Sequence, residues 1–339
     1  MSEIPQSAFQ HVINGLSKIK HTPQNDHQLF SSAMQLLKDT FGTEDLGIVV
    51  TEALKSESPE SVINFLTQLE HSDLGVIAFG RSLSLASALQ AMIDLRSTKI
   101  LNLILEIILK SCTLSGDSSN AEVDLTGSLF EKVVRLIPSE DLTISERACK
   151  LTESIIITSH TQQRLLAIMF SESSAYVTIE KNIFLRFANI WARIMGRDDN
   201  FFNLCRTCGA AEAIVSLCRS HDDILVQIVA MELLTHFAKT SSGLQYLFSA
   251  GVIDWLVTVT SSEEDATLLG NQALRQLGDI FATTSSKNLM SNTIWSAIDE
   301  SIISRYMLSV RNYLDSRSEA DRLTGDPNPP RIIPLFSLL

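Results

Sequence analysis

The chain is 339 residues long, 45% apolar and 19% charged, which is enough to bury a sizeable core and by length corresponds to about two domains. With only 14 glycines and 8 prolines, turns are scarce, which disfavours a many-stranded β fold and excludes collagen-like and low-complexity classes. A formal net charge of −12 argues against a nucleic-acid binder driven by phosphate attraction and against docking on an anionic membrane surface.

Taken in chain order, the start Met1-Ser2-Glu3-Ile4-Pro5-Gln6 has neither a basic n-region nor an apolar h-region, so no secretory leader is expected. Segments Leu29 to Leu37, Val62 to Leu69 and Leu83 to Ile93 read as helices of an irregular N-terminal cap, residues 1–95. The most apolar stretch, Ile100 to Leu109, contains Glu106 and lies between Lys99 and Lys110. A bilayer span needs about 20 apolar residues, so this stretch reads as a buried helix. Ser115-Gly116-Asp117-Ser118-Ser119-Asn120 is a polar loop. Helical spacing then continues through Phe187, Ile190, Trp191 and Ile194, and through Ile224-Leu225-Val226, Ile228, Met231, Leu234 and Phe237. Residues 96–295 are expected to form the repeat array, and 296–339 a C-terminal helix and irregular tail. In that tail Gly325-Asp326-Pro327-Asn328-Pro329-Pro330 cannot be helical, and Ile332, Ile333 and Leu335 are candidates for docking on the body. The five cysteines, Cys112, Cys149, Cys205, Cys208 and Cys218, are sparse and odd in number, so no disulfide framework is implied. That points to a reducing compartment, the cytoplasm, the nucleus or both.

An internal repeat determines the expected architecture. Helical segments opening at Ile104, Ala148, Phe187, Ala230 and Ala273 superimpose, and Ile155, Ile194, Phe237 and Ile280 close the last four. Cys208-Gly209-Ala210-Ala211-Glu212-Ala213-Ile214-Val215 also matches Ala250-Gly251-Val252-Ile253-Asp254-Trp255-Leu256-Val257, with a glycine placed to end one short helix and begin the next. A helical period near 42 residues is the mark of armadillo/HEAT stacking, in which each unit closes its core only against its neighbours. The expected fold is an all-α, right-handed α-solenoid of armadillo/HEAT-type repeats.

In such a stack the long helices line the concave side. Residues two and six after each opening position share a helix face. They read as two rows: Glu106, Lys150, Asn189, Glu232 and Arg275, and beside them Lys110, Ser154, Arg193, His236 and Asp279. Any solvent-facing helix row is polar, but this mixed-charge ladder also suits a folded protein partner better than a polyanion or a uniformly basic peptide. Nuclear-import adaptors of this architecture repeat Trp and Asn at these positions, whereas here Trp191 falls between the rows at a core position. Trp255, on a short helix, is expected to pack between units.

Candidate chemistry is sparse. Cys205, Cys208, Cys218 and His221 have the spacing of a zinc set. The repeat register opposes that reading, because Cys208 and Cys218 fall where Ala250 and Thr260 sit one unit on, slots that take small packing side chains. The seven histidines are scattered, no nucleophile elbow or phosphate loop is present, and Ser262-Glu263-Glu264-Asp265 reads as loop and helix-capping charge. No metal, cofactor or catalytic residue is expected, and the chain reads as a binding protein rather than an enzyme.

Arg193 through Val259 resembles the 26S proteasome non-ATPase regulatory subunit 5 family, armadillo/HEAT-type assembly chaperones of the proteasome. The resemblance is carried by Val226 to Glu232, Ser242-Gly243-Leu244-Gln245-Tyr246-Leu247 and Ala250-Gly251-Val252-Ile253-Asp254, and more weakly by Thr98 to Leu109. It covers roughly residues 95 to 295, and the part beyond about Asn292 does not follow it. It implies a chaperone for assembly of the regulatory-particle base, which would bind the C-terminal domain of one AAA+ ATPase subunit through the concave ladder. It would be a monomer when unbound, with no nucleic-acid or membrane partner. The alternative from the same residues is a generic armadillo scaffold or transport adaptor for an unrelated protein or peptide.

Overall fold

In the computed structural model, residues 45–286 are described except 57, 81, 83, 96, 115–126, 178, 221, 222 and 261–267, together with the single positions 31, 35, 38–40, 304, 307, 308, 310 and 311. The loop at Ser115–Asn120, the acidic run at Ser262–Asp265, His221, most of the helix expected at Leu29–Leu37 and the C-terminal tail lie outside the described residues. Fifteen helices and no strand occupy the described residues. The chain divides into two compact units, Met1–Glu172 and Ser173–Leu339.

The first unit contains α1 (Leu46–Ser56), α2 (Pro59–Glu70), α3 (Asp73–Gly80), α4 (Leu85–Asp94), α5 (Thr98–Leu114), α6 (Gly127–Val134) and α7 (Leu142–Thr158), and α8 (Gln162–Ser174) runs to its boundary. Helices α1, α4 and α6 form one layer; α2 with α3, then α5, then α7 form the other. Contacts of α4 with α5 and of α6 with α7 join the layers into two-helix, HEAT-like repeats. The expected division after residue 95 does not separate the compact units. Because α5 packs on α2 and α3, the first helices belong to the same stack as the array. Asp45 ties the stack's start together: its carboxylate accepts from the Gly47 and Ile48 amides and from the hydroxyls of Ser82 and Ser84.

The second unit contains α9 (Lys181–Met195), α10 (Asp199–Thr207), α11 (Ala210–Cys218), α12 (Ile224–Phe237), α13 (Ser241–Ser249), α14 (Val252–Thr260) and α15 (Leu268–Ser286). A long helix alternates with two short ones. Long helix stacks on long helix, α9 on α12 and α12 on α15, while α10 stacks on α13. Helices α11 and α14 close each layer against the next long helix. This three-helix unit is the armadillo arrangement, and the chain is an all-α repeat protein of armadillo/HEAT type.

Local chemistry explains each boundary. Asp198 accepts the Phe201 amide at the start of α10, and 42 positions later Thr240 accepts the Gly243 amide at the start of α13. Asp141 and Asp223 cap α7 and α12 in the same way. Gly209 and Gly251 adopt φ of 85° and 63° between the short helices, the left-handed conformation the repeat pattern required of a glycine there.

The common register holds in the packing. Ile104, Ala148, Phe187, Ala230 and Ala273 are completely buried, as are Ile155, Ile194, Phe237 and Ile280. Trp191 is buried beside them, and Trp255 is half-buried beneath the Arg219 guanidinium, 5.9 Å from the ring centre.

Candidate protein-binding face

None of the ten ladder residues is buried, although the segments around them are mostly core. In the first row Lys150, Asn189, Glu232 and Arg275 are exposed and Glu106 is half-buried. In the second row Lys110, Ser154, Arg193, His236 and Asp279 are all half-buried. The first unit holds two rungs, on adjacent α5 and α7; the second holds three, on α9, α12 and α15.

Much of the ladder is bonded within its own stack. In the first unit Arg147 on α7 pairs with Glu106 at 3.1 Å, and Lys110 pairs with Glu70 at the end of α2 at 2.6 Å. Lys150 pairs with Glu146 one turn back at 2.7 Å, and Ser154 hydrogen-bonds the Cys112 thiol. In the second unit Gln272 on α15 donates to Glu232 at 3.2 Å, and Thr235 on α12 donates to Gln276 at 2.7 Å. These partners escape a reading confined to two positions per helix. Arg147 and Gln272 both stand one residue before their opening positions, in a third row the same periodicity would have exposed.

His236 is the most perturbed group on this face. Burial, then the charges of Lys239 and Arg193, bring its imidazole from an ordinary 6.5 down to about 4. The ring is therefore neutral near pH 7, and Lys239 Nζ donates to its Nδ1 at 3.0 Å.

The helical spacing read through Ile224-Leu225-Val226, Ile228, Met231, Leu234 and Phe237 holds, but not every residue in it faces the core. Val226, Met231, Leu234 and Phe237 are buried, but Ile224 and Leu225 are exposed. A helix turns 100° per residue, so once Val226 and Ala230 face the stack, Leu225 and Val229 face outward.

The cysteine set has the environment of packing residues. Cys205 and Cys218 are completely buried on α10 and α11, and burial pushes both thiols far up, against the thiolate that zinc ligation needs. Cys208 is half-buried, with its thiol also raised by burial. Among the described residues no group of three His, Cys, Asp or Glu side chains is placed to hold a metal ion, and no helix is long and apolar enough to cross a membrane.

The fold and this face define the class: a helical repeat protein whose long helices carry a mixed polar surface. Residues 125–269 match the family described as the proteasome non-ATPase 26S subunit. No curated protein matches the chain. Among solved structures, an engineered protein of the Northeast Structural Genomics Consortium is 16% identical, with 70% of this chain and 98% of its own covered at a TM-score of 0.43. A second such protein is 13% identical over 96% of this chain and 88% of its own, at 0.42. A designed armadillo repeat protein is 13% identical over 70% and 98%, at 0.41.

Proposed function

We propose that this proteasome-related repeat protein is an assembly chaperone of the regulatory-particle base, which holds the C-terminal domain of one AAA+ ATPase subunit against the face of its long helices. It acts by binding and not by catalysis, as a monomer when unbound, in the cytoplasm and nucleus, without nucleic acid, membrane or cofactor. The observation that carries this reading is the row Asn189, Glu232 and Arg275, exposed on three successive long helices inside the segment of family similarity and its immediate continuation. Mixed polar and charged groups along the row give specificity while leaving the complex able to dissociate, as a transient chaperone requires. Occupation of an ATPase domain by a stack of helices would also block its docking on neighbouring particles by bulk alone.

The test uses purified chain and purified C-terminal domains of the base ATPase subunits. One domain should bind, and an excess of a basic peptide should not compete. Reversing Glu232→Arg with Arg275→Glu should weaken that complex by about 1–3 kcal/mol while the fold stays intact; loss of the Gln272–Glu232 bond lowers stability by no more than about 1 kcal/mol, since both reversed side chains are exposed. An affinity unchanged by the reversal would place the interface on another face. Competition by the peptide would put the chain with the generic scaffolds and transport adaptors.

A further inference from the structure

The outward face of α12 runs Leu225, Val229, Glu232, His236, spaced i, i+4, i+7 and i+11 and therefore on one side of the helix. On α15 the residues 43 positions on are Leu268, Gln272, Arg275 and Asp279. The bonds from Gln272 to Glu232 and from Thr235 to Gln276 join these helices side by side, running in the same direction, at an offset of 40 to 41 residues. One turn nearer the N-termini, that offset sets Leu268 level with Gln227 and Ile228, between Leu225 and Val229 along the helix axis. Leu225 is 69% exposed, Leu268 59% and Val229 40%. On α9 the matching positions are Asn182 and Arg186, so the apolar block is confined to α12 and α15.

Single exposed leucines are ordinary on a protein surface. Here three exposed aliphatic side chains lie on neighbouring turns of two adjoining helices, with the exposed Glu232 and Arg275 one to two turns further along the same helices. An apolar centre inside a charged rim is the anatomy of a specific protein interface, whose energy is concentrated in the apolar anchor and not in the rim.

We propose that Leu225, Val229 and Leu268 are the anchor of the partner-binding face. The occupant is a helical surface of the partner that presents an aliphatic or aromatic side chain to the two leucines, a basic residue to Glu232 and an acidic residue to Arg275. Charge complementarity with the rim sets this choice. The proposal rests on the reading that the long-helix face holds an ATPase domain, and it identifies the part of that face where most of the affinity resides.

Titration of the full chain with each purified base ATPase C-terminal domain tests it. The double variant Leu225→Ser with Leu268→Ser should bind the wild-type chain's partner about 30-fold or more weakly. Its circular dichroism and unfolding midpoint should match the wild type, because neither side chain is in the core. Binding as tight as wild type overturns the anchor and leaves the chaperone reading standing, whereas a wild-type chain that binds none of the domains overturns both. A photo-crosslinker, p-benzoylphenylalanine in place of Val229, identifies the occupant in the mixture. A crosslink to the ATPase domain is expected; one to a second copy of this chain, or to another segment of the same chain, overturns the proposal.

Discussion

His236 carries the clearest consequence of a single environment. A histidine half-buried next to Lys239 and Arg193 loses hydration and meets like charge, so the folded chain holds it neutral down to about pH 4. The unfolded chain protonates it near 6.5. Its folded value is the lower one, so the stability it contributes is fully present above about pH 6.5 and is lost as pH falls toward 4. Two measurements check this. The ring resonances of His236 should titrate with a midpoint about 2 units below an ordinary histidine's. The unfolding midpoint of His236→Gln should also fall less between pH 7 and 4 than that of the wild type. A midpoint near 6.5 would mean that the ring is solvated and that the neighbouring cations lie too far off to matter.

The short helices show how a connection becomes a structural part. Each pair is joined through a glycine in the left-handed region, Gly209 or Gly251, where a Cβ costs about 1–2 kcal/mol. Arg219, just past α11, reaches into the next repeat and donates to the carbonyls of Ala250 and Gly251 at 2.9 and 3.1 Å while lying over Trp255. The last carbonyls of α13 lack partners within their helix, and one guanidinium satisfies two oxygens at the turn that follows. Arg219→Lys is therefore not conservative: Nη2 donates both bonds from a flat group that also lies over Trp255, and a compact ammonium on a flexible stem does not reproduce that placement. Both Arg219→Lys and Arg219→Ala should lower the denaturant midpoint by an amount equivalent to about 1 kcal/mol, modest because the side chain is exposed. A lysine variant as stable as wild type would show that charge alone, and not the planar group over Trp255, holds the turn.

At the scale of the molecule, each repeat is completed by the next. Phe202 on α10, Phe237 on α12 and Tyr246 on α13 have ring centres 5.4, 5.8 and 6.2 Å apart, so one aromatic cluster belongs to two consecutive repeats. Phe237→Ala should cost about 3–5 kcal/mol, because the ring is completely buried and the stack collapses poorly into the cavity left behind. Repeats interact mainly with their neighbours, so hydrogen exchange should accelerate across residues 199–286 and far less across 45–172. Uniform loss of protection over both units would refute that nearest-neighbour picture.

Most of the architecture was legible from residue order, because local rules govern it. The buried opening and closing positions of the long helices, the two left-handed glycines and the core role of Trp191 all follow from a 3.6-residue helical period inside a repeat of about 42 residues. The polar ladder was legible as a row for the same reason. Its internal bonding was not: whether Glu232 meets Gln272 depends on how far one helix slides along another, and nothing local encodes that slide. Leu225 and Leu268 escaped notice for a related cause. An apolar residue in an apolar-rich helix reads as core until the angular position of the buried stripe is known, and only packing against α9 and α11 sets which side of α12 turns inward. By itself the sequence determined the kind of molecule, its repeat and the glycine turns between its short helices, since these depend on neighbours along the chain. The tertiary structure alone decided which side chains remain outside and which lie together, because exposure and contact between helices are properties of the stack.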